Sequence, residues 1–207
     1  MRELLQRSPV IPVLTIEDVA HAVPLAQALV AGGLTVLEVT LRTPAALASI
    51  RAMRAAVPAA VVGAGTVVNS AQYAAAVEAG SQFVVSPGCS PALIAASGSH
   101  GVPLLPGATT PTEIIAALDA GIDTLKFFPA AQSGGVAMLK ALSAPLSQVA
   151  FCPTGGITMA NAKDYLALPN VLCVGMSSIV TKEWLASGNW DAIRDAAAAA
   201  AALRNQA

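Results

Sequence analysis

Charge is scarce in this chain. Only 11% of its 207 residues are Asp, Glu, Lys or Arg, and the net charge is -1. Its aromatics amount to two Trp, two Tyr and four Phe, and no basic run is present. Nucleic-acid recognition needs a positive stripe, usually with stacking rings, so that class is excluded. Histidine occurs twice, at His21 and His100, which is too few to build a metal site. The three cysteines, Cys89, Cys152 and Cys173, are odd in number, far apart, and in or beside apolar segments. They read as buried thiols rather than as a disulfide framework or a zinc site. No stretch of about 18 residues is apolar without Gly, Pro or charge, so no membrane-spanning helix is expected. The opening Met-Arg-Glu-Leu-Leu-Gln-Arg lacks the apolar core of a signal peptide, and a cytoplasmic protein is the expectation.

Apolar residues are abundant, at 55%, with a mean hydropathy of +0.66. Such a chain folds rather than staying disordered. A surplus of this size also predicts burial of surface against further copies of the chain. The length fits one domain, and no linker or boundary is visible across residues 1–207.

Along the chain one unit repeats: a short apolar run, a turn, then an Ala-rich amphipathic helix. The runs lie at 10–14, 35–41, 61–67, 82–86, 102–105, 124–128, 149–153 and 171–175. Eight such runs at near-regular spacing call for a repeat architecture. Thr43-Pro44, Ser90-Pro91 and Thr110-Pro111 each place a capping hydroxyl before a proline at a helix start. Thr110-Pro111-Thr112-Glu113 also reads as a capping box. Gly32-Gly33, Gly80 and Gly121 follow as helix stops. Strands apolar on both faces and separated by helices demand a parallel sheet covered by helices. Eight units predict an α/β fold closed into a compact (β/α)8 TIM barrel. An open doubly wound sheet is the alternative. Segment 189–204, with alanine unbroken from 196 to 202, is expected to be a terminal helix.

Polar residues inside the apolar runs are few, so each is informative. In Leu37-Glu38-Val39-Thr40-Leu41-Arg42, residues two apart share a strand face, so Glu38, Thr40 and Arg42 point the same way. A charge between Leu37 and Val39 is costly unless paired or useful. It is either a structural Glu38–Arg42 ion pair or a carboxylate acid/base with Arg42 as an anion clamp. In Thr124-Leu125-Lys126-Phe127-Phe128-Pro129 the lysine sits within an apolar strand, whereas Lys140, Lys163 and Lys182 fall in solvated helices or loops. An apolar setting disfavours the ammonium, and Schiff-base formation requires the neutral amine. The structural alternatives for Lys126 are snorkelling outward or pairing with Glu38. Thr154-Gly155-Gly156 and Gly175-Met176-Ser177-Ser178 follow the seventh and eighth runs, where barrels often bind phosphate through backbone N–H groups. Thr66, Pro87 and the segment 105–109 end the third to fifth runs. They are more often tight turns than ligand groups.

Five ordered motifs then carry a resemblance. Glu38-Val39-Thr40-Leu41-Arg42, Gly63-Ala64-Gly65-Thr66, Ser86-Pro87-Gly88, Lys126-Phe127-Phe128-Pro129-Ala130 and Pro153-Thr154-Gly155-Gly156-Ile157 occur in that order. From about Pro12 to Trp190 the chain resembles the bacterial 2-keto-3-deoxy-6-phosphogluconate (KDPG) aldolases, also active as 4-hydroxy-2-oxoglutarate aldolases. The resemblance implies a trimeric Schiff-base enzyme of the Entner–Doudoroff pathway that acts on a phosphorylated 2-oxo acid without metal or cofactor. It implies Lys126 as the Schiff-base lysine and Glu38 as the proton-transfer residue. It further implies Arg42, Thr66, Pro87 and Phe128 around the pyruvyl part, and Gly155, Gly156 and Ser177 on the phosphate, with Thr154 beside them. The chain departs from the family in two places. Met176 and Ser178 stand where Gly and Trp are frequent, and Thr15-Ile16-Glu17-Asp18 stands where some members carry a basic residue. Both touch the far end of the substrate. Rival readings are another phosphosugar enzyme of the same fold, such as a decarboxylase or isomerase, and a non-catalytic metabolite-binding barrel.

Overall fold

β-Branched and other apolar runs form strands where both faces can be buried, and the Ala-rich segments between them form the covering helices. The computed structural model describes residues 1–203. Arg204, the last residue of the expected terminal helix, lies outside them. A short helix α1 (Arg2–Leu5) precedes β1 (Val10–Leu14), and a single 3-10 turn (Val19–His21) leads into α2 (Ala22–Ala31). Then follow β2 (Val36–Thr40), α3 (Ala46–Ala56), β3 (Val61–Gly65), α4 (Ser70–Glu78), β4 (Val84–Val85) and α5 (Pro91–His100). The chain continues through β5 (Leu104–Leu105), α6 (Pro111–Asp119), β6 (Thr124–Phe127), α7 (Gly135–Ser143) and β7 (Ala150–Pro153). It ends with α8 (Ala162–Leu166), β8 (Val174–Met176), α9 (Lys182–Ser187) and α10 (Trp190–Ala201).

The strand pairing corrects the expectation of a closed eight-stranded barrel. The ladders form a six-stranded parallel sheet in the order β5-β4-β3-β2-β1-β8, and β6-β7 stand as a separate parallel pair. Among the described residues only single bridges join the two parts: Gly107 to Lys126 at one side, and Phe151 to Val171 and Thr154 to Gly175 at the other. The reason is local. β5 has two residues, and Pro103 and Pro106 flank it without N–H groups to donate. The link to β6 therefore rests on Lys126 N–H to Pro106 O and Ala108 N–H to Lys126 O. The sequential order β1 to β5 also lacks the reversal of a doubly wound sheet.

Two apolar layers hold this arrangement. The larger packs strand residues such as Leu37, Val39 and Leu125 against helix residues such as Leu25, Ile50 and Ile193. The smaller gathers Ile11, Val36, Phe83, Val85, Leu105, Cys152 and Cys173 with Leu5 of α1. Ser90 and Thr110 cap α5 and α6 as their spacing predicts, and Thr110 with Glu113 completes the capping box. Backbone N–H groups of Thr109 and Thr110 hold the Glu113 carboxyl below its ordinary value. Thr43 does not cap α3. Its hydroxyl donates instead to Ile16 O at 2.5 Å, and the helix begins after Ala45. Among the described residues no helix is long and apolar enough to cross a membrane.

Candidate active site

Parallel strands point their C-terminal ends the same way, so polar groups near those ends converge. Glu38 of β2 and Lys126 of β6 do so most closely. Lys126 Nζ donates to Glu38 Oε1 at 3.3 Å. The two residues are 4% and 3% exposed, so water contributes little to either charge. Removing two ions from water is expensive, and a single contact of this length returns only part of that. The pair is therefore poor evidence for stability and good evidence for chemistry.

Small residues make the approach possible. A Cβ on Gly65 would lie 2.1 Å from Glu38 Oε1, so this strand residue must be glycine for the carboxylate to occupy its place. Gly107, the bridge partner of Lys126, lies so close to Pro87 O that a Cβ would sit 2.1 Å from it. Pro87 is half-buried there and forms a wall beside the lysine's strand. The Phe128 ring centroid lies 5.2 Å from Nζ, within cation–π range.

Arg42 does not pair with Glu38, as one structural alternative held. Its Nε donates to Thr66 Oγ1 at 3.1 Å, which orients an exposed guanidinium beside the end of β3. Thr66 adopts φ 59°, the left-handed region that a β-branched residue rarely enters. Its neighbours enforce this: Gly65 O accepts from Leu41 N–H, and Val67 N–H donates to Val85 O. Strain kept in place by surrounding bonds is typical of functional positions. Thr40, on the face shared with Glu38, is fully buried, and its hydroxyl donates to Leu14 O at 2.9 Å.

The loops after β7 and β8 come together in part. Thr154 is buried, and a Cβ on Gly175 would lie 2.2 Å from its Oγ1. Gly155 and Gly156 have φ of 101° and 74° and pack against the segment after β6. Ala130 N–H donates to Thr154 O, and Ala131 N–H to Gly155 O. Ser177 stands two residues beyond Gly175, the bridge partner of Thr154. It shares a cavity of about 430 Å³ with Arg42, and Thr15, Glu17, His21 and Lys182 supply its other polar walls. Lys126, Gly155 and Gly156 are not among its lining residues. Sequence reading met Glu17 only as part of a departure from the family, and it passed over His21 and Lys182 as site residues because those two stand far apart in the chain. It also passed over the space-making roles of Gly65 and Gly107; for Gly65, glycine inside a strand was the available signal. Among the described residues no group of three His, Cys, Asp or Glu could hold a metal ion.

Comparison with known proteins bears on the same site. The sequence model described as KDPG and KHG aldolase matches residues 1–196. The KHG/KDPG aldolase of Escherichia coli (strain K12) is 50% identical over 190 residues, covering 92% of this chain and 89% of that protein. The 2-dehydro-3-deoxy-phosphogluconate aldolase of Zymomonas mobilis is 52% identical over 181 residues, covering 86% and 85%. A crystal structure of KDPG aldolase from Legionella pneumophila, with pyruvate captured as a covalent carbinolamine, superposes with a TM-score of 0.94. It shares 44% identity over 97% of both chains.

Proposed function

The chain belongs to the KDPG and KHG aldolase family, and from that premise we propose how its residues carry the reaction. It is a carbon–carbon lyase that cleaves 2-dehydro-3-deoxy-6-phosphogluconate to pyruvate and glyceraldehyde 3-phosphate. It also acts on 4-hydroxy-2-oxoglutarate, giving pyruvate and glyoxylate.

One observation carries the assignment of roles: the buried contact between Lys126 Nζ and Glu38 Oε1. Passing one proton across it leaves a neutral amine facing a carboxylic acid, which is the state a nucleophilic lysine needs. The amine adds to C2 of the substrate, and the carbinolamine loses water to give a protonated imine. That cation accepts the electron pair of the C3–C4 bond as Glu38, now a carboxylate, takes the proton of the C4 hydroxyl. The aldehyde leaves, the enamine takes a proton at C3, and water hydrolyses the imine to release pyruvate. Water lost in forming the imine is thus regained. Arg42, oriented by Thr66, holds the pyruvyl carboxylate, and Phe128 and Pro87 wall the reacting carbons. Thr154 lies beside them, while Gly155, Gly156 and Ser177 face the phosphate. No cofactor enters these steps, because the imine is itself the electron sink.

We place this chemistry in one cytoplasmic domain that assembles as a trimer. Exposed Val68 and Ile115, 53% and 50% accessible, support self-association, which sedimentation would test. For the reaction itself, pyruvate release from the phosphorylated oxo acid should be lost in Lys126→Met and should survive exhaustive chelation in the unaltered chain. Retained turnover in Lys126→Met, or loss on chelation, would count against the proposal.

A further inference from the structure

Glu38 and Lys126 belong to different parts of the sheet, and little joins those parts below the lysine on its β5 side. Among the described residues, the first backbone hydrogen bond between the β5 segment and β6 is made by Lys126 itself, N–H to Pro106 O. Thr124 and Leu125, the first half of β6, pair with Ala150 and Phe151 of β7. A tie at this end comes from α1. Arg2 Nε lies 3.1 Å from Asp123 Oδ2, just before β6. Arg2 Nη2 donates to Gln148 O, two residues before β7. Ala150 N–H donates to Asp123 O, so one guanidinium reaches the joined starts of both strands. Leu5 of the same helix is fully buried with Ile11, Val36 and Leu105 of the larger sheet and Cys152 of β7. Residues 6–9 then lead straight into β1, and Val174 N–H of β8 donates to Pro9 O. Chain continuity and Leu5 fix α1 to the six-stranded sheet, while Arg2 grips the two-stranded pair.

We propose that Arg2 is a positioning residue for the reacting amine: its guanidinium fixes the start of β6, and with it the approach of Lys126 to Glu38. This rests on the aldolase reading, which gives that approach its chemical purpose. Asp123 stands three residues before Lys126, roughly 10 Å along an extended strand. Arginine suits the task because its planar fork serves a carboxylate and a carbonyl at once, which a lysine ammonium does less well. The Arg2 and Asp123 side chains are 43% and 54% exposed, so their pairing adds little to stability. Geometry is costlier than stability here, since a misplacement of about 1 Å at a reacting group can lower a rate about 10²-fold. The loss of Arg2 should therefore show in turnover more than in melting.

Steady-state kinetics on the phosphorylated oxo acid test this with Arg2→Met, Asp123→Asn and the double variant. Each single change should lower kcat about tenfold with KM nearly unchanged, because neither residue touches substrate. Tm should fall by no more than about 4 °C. The double variant should lose no more than either single one, since both break the same contact. Unchanged kcat in either single variant, losses that multiply in the double, or a KM that rises as much as kcat falls would overturn the proposal. A larger drop in Tm would make Arg2 structural and would overturn it too. Amide hydrogen exchange separates this inference from its premise. If the unaltered chain released no pyruvate, the aldolase reading would fall. Exchange at Leu125 and Lys126 about fivefold faster in Arg2→Met, with β2 unaltered, would then still support the positioning role. Equal exchange would overturn it.

Discussion

Glu38 Oε1 lies 3.3 Å from Lys126 Nζ although 88 residues separate them in the chain. Glu38 comes from β2 in the six-stranded sheet and Lys126 from β6 in the separate pair, so their meeting depends on how the two sheet parts are set together. Removing one partner leaves the other buried charge unmatched, at about 3–5 kcal/mol.

Glu38→Gln should reduce turnover by roughly 10²–10⁴-fold if the carboxylate moves protons during bond cleavage. Imine formation with pyruvate should persist more slowly. Steady-state kinetics and single-turnover trapping on the same variant read the two steps apart. An unchanged kcat would reduce Glu38 to a structural counter-ion.

Gly65→Ala puts a methyl group where Glu38 Oε1 now sits, since the distance would be 2.1 Å. The carboxylate must move away from Lys126. Turnover should fall by at least about tenfold, as expected when a proton-transfer group loses its position. KM for pyruvate in the exchange of its methyl protons with solvent should change less than kcat. Full activity would mean that Glu38 acts from a different position.

Thr66→Gly relieves a β-branched residue from φ 59° and removes the hydroxyl that orients Arg42. The folded state should gain about 1 kcal/mol from the relieved backbone, read as a higher Tm. The KM for pyruvyl substrates should rise as Arg42 loses its anchor. A lower Tm would show that the hydroxyl contact outweighs the strain.

Glu113 in α6 gives a pH signature remote from the site. Backbone N–H groups of Thr109 and Thr110 hold its carboxyl below the ordinary range. The unfolded chain therefore takes up the proton first as pH falls. The contribution is complete above the ordinary glutamate value of about 4.3 and is lost as pH drops through the lowered one. Glu113→Ala should be less stable at neutral pH by no more than about 1 kcal/mol, since the group is largely solvated. The difference should shrink in acid. Denaturant melts at two pH values check this, and a difference that grows in acid would reverse the assignment.

Chemistry was more legible in the sequence than strand pairing. Lys126 and Glu38 stand out because a charge inside an apolar strand is visible from its immediate neighbours. The eight strand positions are visible too, because hydrophobic periodicity is local. Which edges bond to which is not local. Pro103 lies inside the run read as the fifth strand and Pro106 just after it, yet they reduce the junction with β6 to a single bridge. Thr43-Pro44 matches a capping signal, but Ile16 O, brought near by β1, takes the hydroxyl. Lys182 looked like one more solvated lysine, because nothing in its own segment shows that Arg42 and Glu17 face the same cavity.

Mass spectrometry of the chain after treatment with pyruvate and borohydride, with peptide mapping, tests the amine at the centre of this account. It should find one reduced pyruvate on Lys126 and none on Lys140, Lys163 or Lys182. An adduct on another lysine, or an unmodified Lys126 in a chain that still releases pyruvate, would contradict the account.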